Sequence, residues 1–197
     1  MSNVIMDVCT VRNAVENIHR LRKEGGKGAK TASLLAMGEA TCVGKTDYAR
    51  FVVPQFQQQI LIEQLHASSP LTRDEVTSAV ASITLAQAAS NPVEVKKHVQ
   101  KEIAIDLVAA FNDSEYFFLF EEILDVFGRT RIDHEDLTLV AAAVAAHRAN
   151  GEPVVIVTDD KGLVAAHQVL GEHLPYLAIV SPEQYLAGAH LRVLEAA

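Results

Sequence analysis

The chain is poor in the residues that cross-link small proteins. Its 197 residues include 2 cysteines, Cys9 and Cys42, and no tryptophan. Two thiols without the spacing of a metal site exclude a disulfide framework and indicate a reducing compartment. With 49% hydrophobic residues, a chain of this length can bury a core without cross-links. We therefore expect a single domain over residues 1–197.

Long hydrophobic runs and excess positive charge are also absent. No segment approaches the ~18 consecutive apolar residues of a membrane span, and the first residues lack the basic and apolar regions of a secretory signal. We expect a cytoplasmic protein with no membrane contact. The net charge of −8 argues against a generally basic nucleic-acid-binding surface. It does not exclude a local basic patch over an acidic site.

Strand-like and helix-like segments alternate along the chain. Runs of β-branched residues predict strands at 4–9, 51–53, 153–158 and 177–180. Helical spacing predicts helices at 11–23, 55–66, 72–90, 137–149 and 163–170, and at least two helical pieces within 93–127. The run Ser181-Pro182-Glu183 has the cap, proline and acid of a further helix start. This alternation predicts an α/β fold with a mainly parallel sheet covered on both faces.

Aspartates stand where two of the predicted strands end. The strand near the N-terminus stops at Asp7, and the strand at 153–158 is followed by Asp159 and Asp160. Ligands of open α/β sheets bind beyond the carboxyl ends of the parallel strands, where residues from distant stretches can meet. A third acid, Asp136, falls in the first turn of a predicted helix. Because magnesium and manganese favour oxygen ligands, the sequence predicts an acidic site for a divalent cation.

The order and context of these acids resemble the PIN domain, a ribonuclease fold of bacterial toxins and RNA-processing proteins. The stretches that carry the resemblance are residues 4–11, 136–143, 157–163 and 180–186. The likeness covers roughly residues 1–20, 50–66 and 130–190. It implies a three-layer α/β/α fold with a central mainly parallel sheet. Because family members are typically shorter, it also implies a helical insertion at roughly 67–130.

The resemblance implies a metal-dependent ribonuclease that hydrolyses RNA phosphodiester bonds with Mg²⁺ or Mn²⁺. Carried over residue by residue, it makes Asp7, Asp136 and Asp160 catalytic residues and metal ligands, with Thr158 supporting the turn before Asp160. Asp159 stands where the family often has asparagine, and it is either a fourth ligand or a turn residue. The family also implies an antitoxin or other protein partner and a homodimer.

Two departures from the family pattern leave an alternative open. The glutamate expected on the helix after the second strand is replaced by Gln59, whose neutral amide should weaken metal binding. Glu63, one turn further on, could substitute if the helix or metal sits differently. The polar residue that often follows the first acid is replaced by Val8. The alternative is therefore a catalytically weak or inactive PIN-like module that binds RNA or a protein.

Basic side chains are concentrated between residues 20 and 50, where seven lysines and arginines stand against three acids. Such a glycine-containing segment beside the first predicted ligand could guide an RNA backbone. Arg12, Lys45 and Arg50 are the candidate RNA contacts. A solvated loop without a ligand explains the same composition equally well.

Overall fold

The computed structural model describes residues 2–13, 49–54, 63, 72–78, 81, 85, 92–112 and 134–189. These residues contain strands and helices that alternate along the chain, which confirms the α/β class. The elements are β1 (Ser2–Met6), β2 (Ala49–Pro54), β3 (Val93–Val95), α1 (Lys97–Asn112), α2 (His134–Asn150), β4 (Val154–Val157), α3 (Lys161–His173), β5 (Leu177–Val180) and α4 (Pro182–Leu186). Residues 8–13 and 73–78 are also helical.

The five described strands form one parallel sheet in the order β3-β2-β1-β4-β5. The central strand is β1, in which Val4 is paired with Phe51 of β2 on one side and Val155 of β4 on the other. Along the chain, β2 and β3 follow on one side of β1, and β4 and β5 then follow on its other side. A crevice at the carboxyl ends of β1 and β4, where the strand order reverses, is the usual ligand site of such sheets.

Both faces of the sheet are apolar, as expected for a parallel sheet. On one face, Ile5 and Ile156 are completely buried against residues of α2 and α3. On the other face, Val4 and Val155 pack with Tyr185 near the C-terminal end of the described chain. The alternation of Val4 and Ile5 between the two faces is the period of two of a β-strand. A strand that is buried on both faces has an uninterrupted run of apolar residues in its sequence, as in Val154–Val157 of β4.

Helix α2 lies on the sheet through small side chains, because its Ala142, Ala143 and Ala146 are all fully buried in the same cluster as the strand residues. Its last residue, Asn150, exchanges two amide hydrogen bonds of 3.1 Å with Asn3 in β1. Near its start, the backbone oxygen of Thr138 accepts a 2.6 Å hydrogen bond from Gln100, shortly after the carboxyl end of β3. Helix α2 therefore runs from the carboxyl end of the sheet to the amino end.

Two sequence-based expectations about element boundaries are wrong. The strand predicted at 4–9 ends at Met6, and a helix begins at residue 8. The reason is that the backbone oxygen of Asp7 accepts a hydrogen bond from the amide of Val11 at 3.0 Å, which closes a helical turn. Cys9 therefore lies in a helix, not at a strand end.

The segment Val93–Val95 is a strand, although helical spacing was expected from residue 93 onwards. Pairing decides its conformation, because Val93 and Val95 lie beside Val52 and Pro54 at the edge of β2. The range 67–130, predicted as a helical insertion, therefore includes a strand of the sheet, and its limits stay a prediction. The helix predicted at 55–66 is described only at Glu63, which is helical.

The remaining described elements agree with the sequence. Strands β2, β4 and β5 and helix α3 form where they were predicted, with ends that differ by a few residues. Helix α4 has Ser181 as N-cap, with a capping box to Gln184 and Pro182 in its first turn. In the part of the chain that the structure describes, no helix is long and apolar enough to cross a membrane.

Candidate functional site

Asp7 is fixed at the point where β1 ends and the next helix begins. Its backbone N–H donates to the oxygen of Val157 at 2.9 Å, and its own backbone oxygen accepts from Val11 at 3.0 Å. The bond to Val157 continues the pairing of β1 with β4, and the bond from Val11 forms the first turn of the helix. The Asp7 carboxylate therefore stands at the carboxyl ends of the two central strands, where the strand order reverses.

Two side chains donate hydrogen bonds to the same oxygen of Asp7. The Thr158 hydroxyl lies 2.6 Å from Asp7 Oδ2, and the Cys9 thiol lies 3.1 Å from it. Thr158 is completely buried. No described residue donates a hydrogen bond to Oδ1 of Asp7. Among the described residues, the carboxylate is therefore oriented through one oxygen only.

Cys9 remains a thiol in this environment. Burial, followed by the negative charge of Asp7, raises the pKa of the Cys9 thiol from 9.0 to about 12. It therefore keeps its proton at neutral pH and can donate it to Asp7 as a weak hydrogen bond. The sequence analysis missed this contact, because an Asp-x-Cys spacing has no special meaning at a predicted strand end.

Thr158 also connects Asp7 to Asp160. The Thr158 hydroxyl oxygen accepts a hydrogen bond from the backbone N–H of Asp160 at 3.0 Å. Asp160 is the N-cap of α3, and its Oδ1 accepts from the amides of Gly162 at 2.8 Å and Leu163 at 3.2 Å. Asp160 therefore has a structural role in starting α3. An aspartate that caps a helix after a strand and one that binds a metal there look alike in sequence.

Asp159 contacts the helix that follows Asp7. Its Oδ2 accepts a hydrogen bond from the Asn13 side-chain amide at 3.0 Å, and the bond is exposed to solvent. This bond links the helix at residues 8–13 to the turn between β4 and α3, across the carboxyl ends of β1 and β4. It places Asp159 at the mouth of the candidate site. Asn13 was missed by the sequence analysis, since an isolated asparagine has no chemical signature.

Asp136 lies in the first turn of α2 and is buried. The direction of α2 places it at the carboxyl end of the sheet, the same end as Asp7. Its turn is held by Gln100, whose amide nitrogen donates to the Thr138 oxygen at 2.6 Å. The other amide atom of Gln100, Oε1, is buried and has no hydrogen-bond partner among the described residues. Gln100 is a third residue near the site, after Cys9 and Asn13, whose contact the sequence analysis missed.

The other predicted site residues are less close to Asp7 or are not described. Arg12 is half-buried in the helix after Asp7, and Glu63 is exposed. Arg50 is paired with Asn3 of β1, four residues before Asp7 and therefore about 13 Å from it along the strand. The structure does not bring Arg50 to the acidic end of the sheet. Gln59 and Lys45 lie outside the described residues.

Within the described ranges, no group of three or more His, Cys, Asp or Glu side chains is arranged to hold a metal ion. Asp7 and Asp160 are connected through Thr158, whereas Asp136 and Asp159 share only the same end of the sheet. A cage made entirely of protein acids is therefore not present in this part of the chain. Asp7 and Asp160 could hold Mg²⁺ only in a looser mode, in which one or two carboxylates are joined by waters and substrate phosphates.

Comparison with protein-family models found no match. Comparisons with curated proteins and with solved structures found none either.

Proposed function

We propose that this protein is a metal-dependent ribonuclease with a PIN-like three-layer α/β/α fold. The observation that supports this best is the Asp7 carboxylate at the reversal point of a parallel sheet, with Oδ2 bound by Thr158 and Oδ1 without a described donor. An oriented carboxylate with one oxygen to which no described residue donates suits a metal ligand. The resemblance in the order of the acids along the chain adds to this support.

In the proposed site, Asp7 is the principal ligand of Mg²⁺ or Mn²⁺. Asp160 and Asp136 add negative charge at the same end of the sheet, and Asp159 does so at the mouth of the site. Thr158 is a positioning residue, because its hydroxyl fixes both the Asp7 carboxylate and the backbone of Asp160. A bound cation would supply polarisation of the scissile phosphate and an activated water, so that no side-chain nucleophile is needed.

The second candidate is a PIN-like module that binds RNA or a protein partner without efficient cleavage. The observation that favours it is the cap made by Asp160, whose Oδ1 is already engaged by two backbone amides. A carboxylate that is used in this way has less capacity for a metal. The antitoxin partner and the homodimer implied by the resemblance are further proposals of this account.

Manganese-dependent cleavage of single-stranded RNA tests the two candidates. The assay compares the wild-type protein, the same protein with a chelator, and Asp7→Asn, which keeps the shape of the side chain but removes its charge. The nuclease proposal expects cleavage to be lost in both controls, by at least about a hundredfold for Asp7→Asn. Unchanged cleavage by Asp7→Asn would contradict the assignment of the site. No cleavage by the folded wild-type protein would favour the binding module.

A further inference from the structure

Three lysines cluster at the start of helix α1, directly after the short strand β3. Lys96 precedes the helix, Lys97 is its first residue and Lys101 lies one turn later. All three side chains are exposed, and no described residue forms an ion pair with them. We call these three residues the lysine surface. It was not among the predicted RNA contacts.

The lysine surface lies at the same end of the sheet as Asp7. The pairing of β1 with β2 ends at Val4 and Phe51; counted three residues further along each strand, Asp7 is level with Pro54, which is itself paired with Val95 of β3. Asp7 and Val95 are therefore at the same level, two strand spacings or about 10 Å apart. Lys96 is the next residue after Val95. An extended ligand that contacts Asp7 and spans about 10 Å would meet the lysine surface on the far side of β2.

Contacts between helices connect the lysine surface to the rest of the candidate site. Gln100 lies between Lys97 and Lys101 in sequence, and its side chain is buried. It donates the 2.6 Å hydrogen bond to the Thr138 oxygen in the same helical turn as Asp136. The first turns of α1 and α2 are thus held together at the carboxyl end of the sheet. The lysine surface at the start of α1 therefore lies near the turn of α2 that contains Asp136.

The charges at the start of α1 are unfavourable for the helix itself. The first turn contains no acidic residue, although the positive end of the helix dipole favours carboxylates there. Lys96 has no side-chain acceptor with which to cap the helix, and Lys97 and Lys101 repel each other at a spacing of four residues. Helix stability does not explain this arrangement. An anionic ligand would neutralise the lysines and interact favourably with the helix dipole.

We infer that the lysine surface binds the phosphate backbone of the single-stranded RNA that the site at Asp7 acts upon. The inference rests on the proposed function for the identity of the ligand. Positive charge that is exposed and has no described partner is the feature by which proteins follow a nucleic-acid backbone. In a protein with a net charge of −8, such a local cluster gives the RNA a defined place to bind.

The test measures RNA binding separately from cleavage. A fluorescently labelled single-stranded RNA of mixed sequence is titrated with protein in the presence of a chelator, at several salt concentrations between about 50 and 200 mM. Replacing all three lysines with glutamine should weaken binding roughly 10- to 100-fold at about 0.1 M salt and reduce the slope of log affinity against log salt by about 2. Each single replacement should have about a third of that effect on the slope.

Arg148→Gln is the matched control, because Arg148 is exposed in the last turn of α2, at the amino end of the sheet. It removes one positive charge and should leave RNA affinity and salt slope unchanged.

Thermal melts provide a second control. Lys97→Gln should keep or raise the melting temperature, because it removes an unfavourable charge at the helix start. A purely structural role of Lys97 would instead lower the melting temperature.

Wild-type affinity and salt slope in the triple variant would overturn the inference, even if manganese-dependent cleavage establishes the nuclease. Absence of RNA binding by the wild-type protein would overturn it too. A polyglutamate peptide that competes as well as RNA of equal length would overturn it in favour of an acidic protein partner. Lysine-dependent RNA binding without any cleavage would support the inference while contradicting the proposed nuclease activity.

Discussion

The two ends of the parallel sheet use polar side chains in opposite ways. At the amino end, polar groups bind one another: Asn3 pairs with Asn150, Asn150 accepts from the amide of Glu152, and His147 contacts the Glu152 oxygen at 2.8 Å. The ring of His147 is also stacked on Tyr176. At the carboxyl end, the acids follow strands or begin helices, and both donors to Asp7 bind the same oxygen.

This difference separates groups that stabilise the fold from groups available for chemistry. The hydrogen bonds among these groups at the amino end contribute stability, and their disruption leaves buried groups without partners. The carboxyl end concentrates negative charge in the crevice where ligands of such sheets bind. Substitutions at the amino end should therefore change stability without changing activity. Substitutions at the carboxyl end should change activity in addition.

The largest loss of stability is expected from Asn3→Ala. Asn3 is completely buried and exchanges two hydrogen bonds with Asn150, so its removal leaves polar groups unpaired and creates a small cavity. We expect a loss of about 2–3 kcal/mol in the free energy of unfolding, measured by urea denaturation. RNA cleavage per folded molecule should not change.

Asn13→Ala is the matched control for Asn3→Ala at the other end of the sheet. The hydrogen bond from Asn13 to Asp159 is exposed, so its loss should change stability by no more than about 0.5 kcal/mol. Equal losses for the two asparagines would contradict the contrast between the two ends.

A smaller loss of stability, accompanied by a loss of activity, is expected from Thr158→Val. Valine keeps the shape of threonine but cannot donate to Asp7 Oδ2 or accept from the Asp160 amide. We expect about 2 kcal/mol of destabilisation and a 10- to 100-fold decrease in cleavage, roughly as for other residues that orient metal ligands. Thr158→Ser should restore most of both.

The exposed Thr77 supplies a control, because among the described residues its hydroxyl bonds to the backbone oxygen of Arg73 alone. Thr77→Val should affect neither stability nor cleavage appreciably. Wild-type cleavage by Thr158→Val would show that orientation of Asp7 by the hydroxyl is unnecessary.

Cys9→Ala should have a weaker effect than Thr158→Val, since a thiol is a poor donor and Thr158 still binds Asp7. A decrease in cleavage of less than about tenfold is expected. Thiol reactivity checks the environment directly in a Cys42→Ser background. With a pKa near 12, Cys9 should react with iodoacetamide at mildly alkaline pH far more slowly than in the urea-unfolded protein. Rapid alkylation of the folded protein would contradict the buried contact with Asp7.

The smallest effect is a pH dependence of stability that arises from His167. Burial lowers the pKa of His167 below its ordinary value of 6.5, and its Nδ1 accepts a hydrogen bond from the amide of Ile179 in the edge strand β5. The folded state therefore favours the neutral ring. Its contribution to stability is complete above pH 6.5 and decreases as the pH falls below 6.5 towards the lower pKa of the folded state.

Urea denaturation at neutral and mildly acidic pH measures this contribution. The wild-type protein should lose more stability on acidification than His167→Asn, whose amide cannot take up a proton in this range. An equal loss in both proteins would assign the acid sensitivity to other groups.

The sequence predicted the parts of the fold that local chemistry determines. The start of α4 was identified because Ser181, Pro182 and Glu183 each favour a helix N-terminus, and the capping box forms there. Strand β3 was missed, because Val-Glu-Val is too short to show a period of its own. Its conformation depends on pairing with β2, which lies about 40 residues earlier in the sequence.

The candidate site was predictable to the same limited extent. Asp7 was identified from its position at a strand end and Thr158 from the resemblance to the PIN domain, and they form the 2.6 Å hydrogen bond at the centre of the site. The contacts made by Cys9, Asn13 and Gln100 could not be predicted, since each depends on how separate elements pack. The capping role of Asp160 competes with its predicted role as a ligand, and sequence alone does not weigh one against the other.

The most direct test of the account is a calorimetric titration of the wild-type protein and Asp7→Asn with Mn²⁺. The account predicts that the wild-type protein binds the ion at millimolar concentration and that Asp7→Asn binds it at least about tenfold more weakly. Both proteins should melt at similar temperatures. Equal Mn²⁺ binding by the two folded proteins, or no binding by the wild-type protein, would contradict a metal site centred on Asp7.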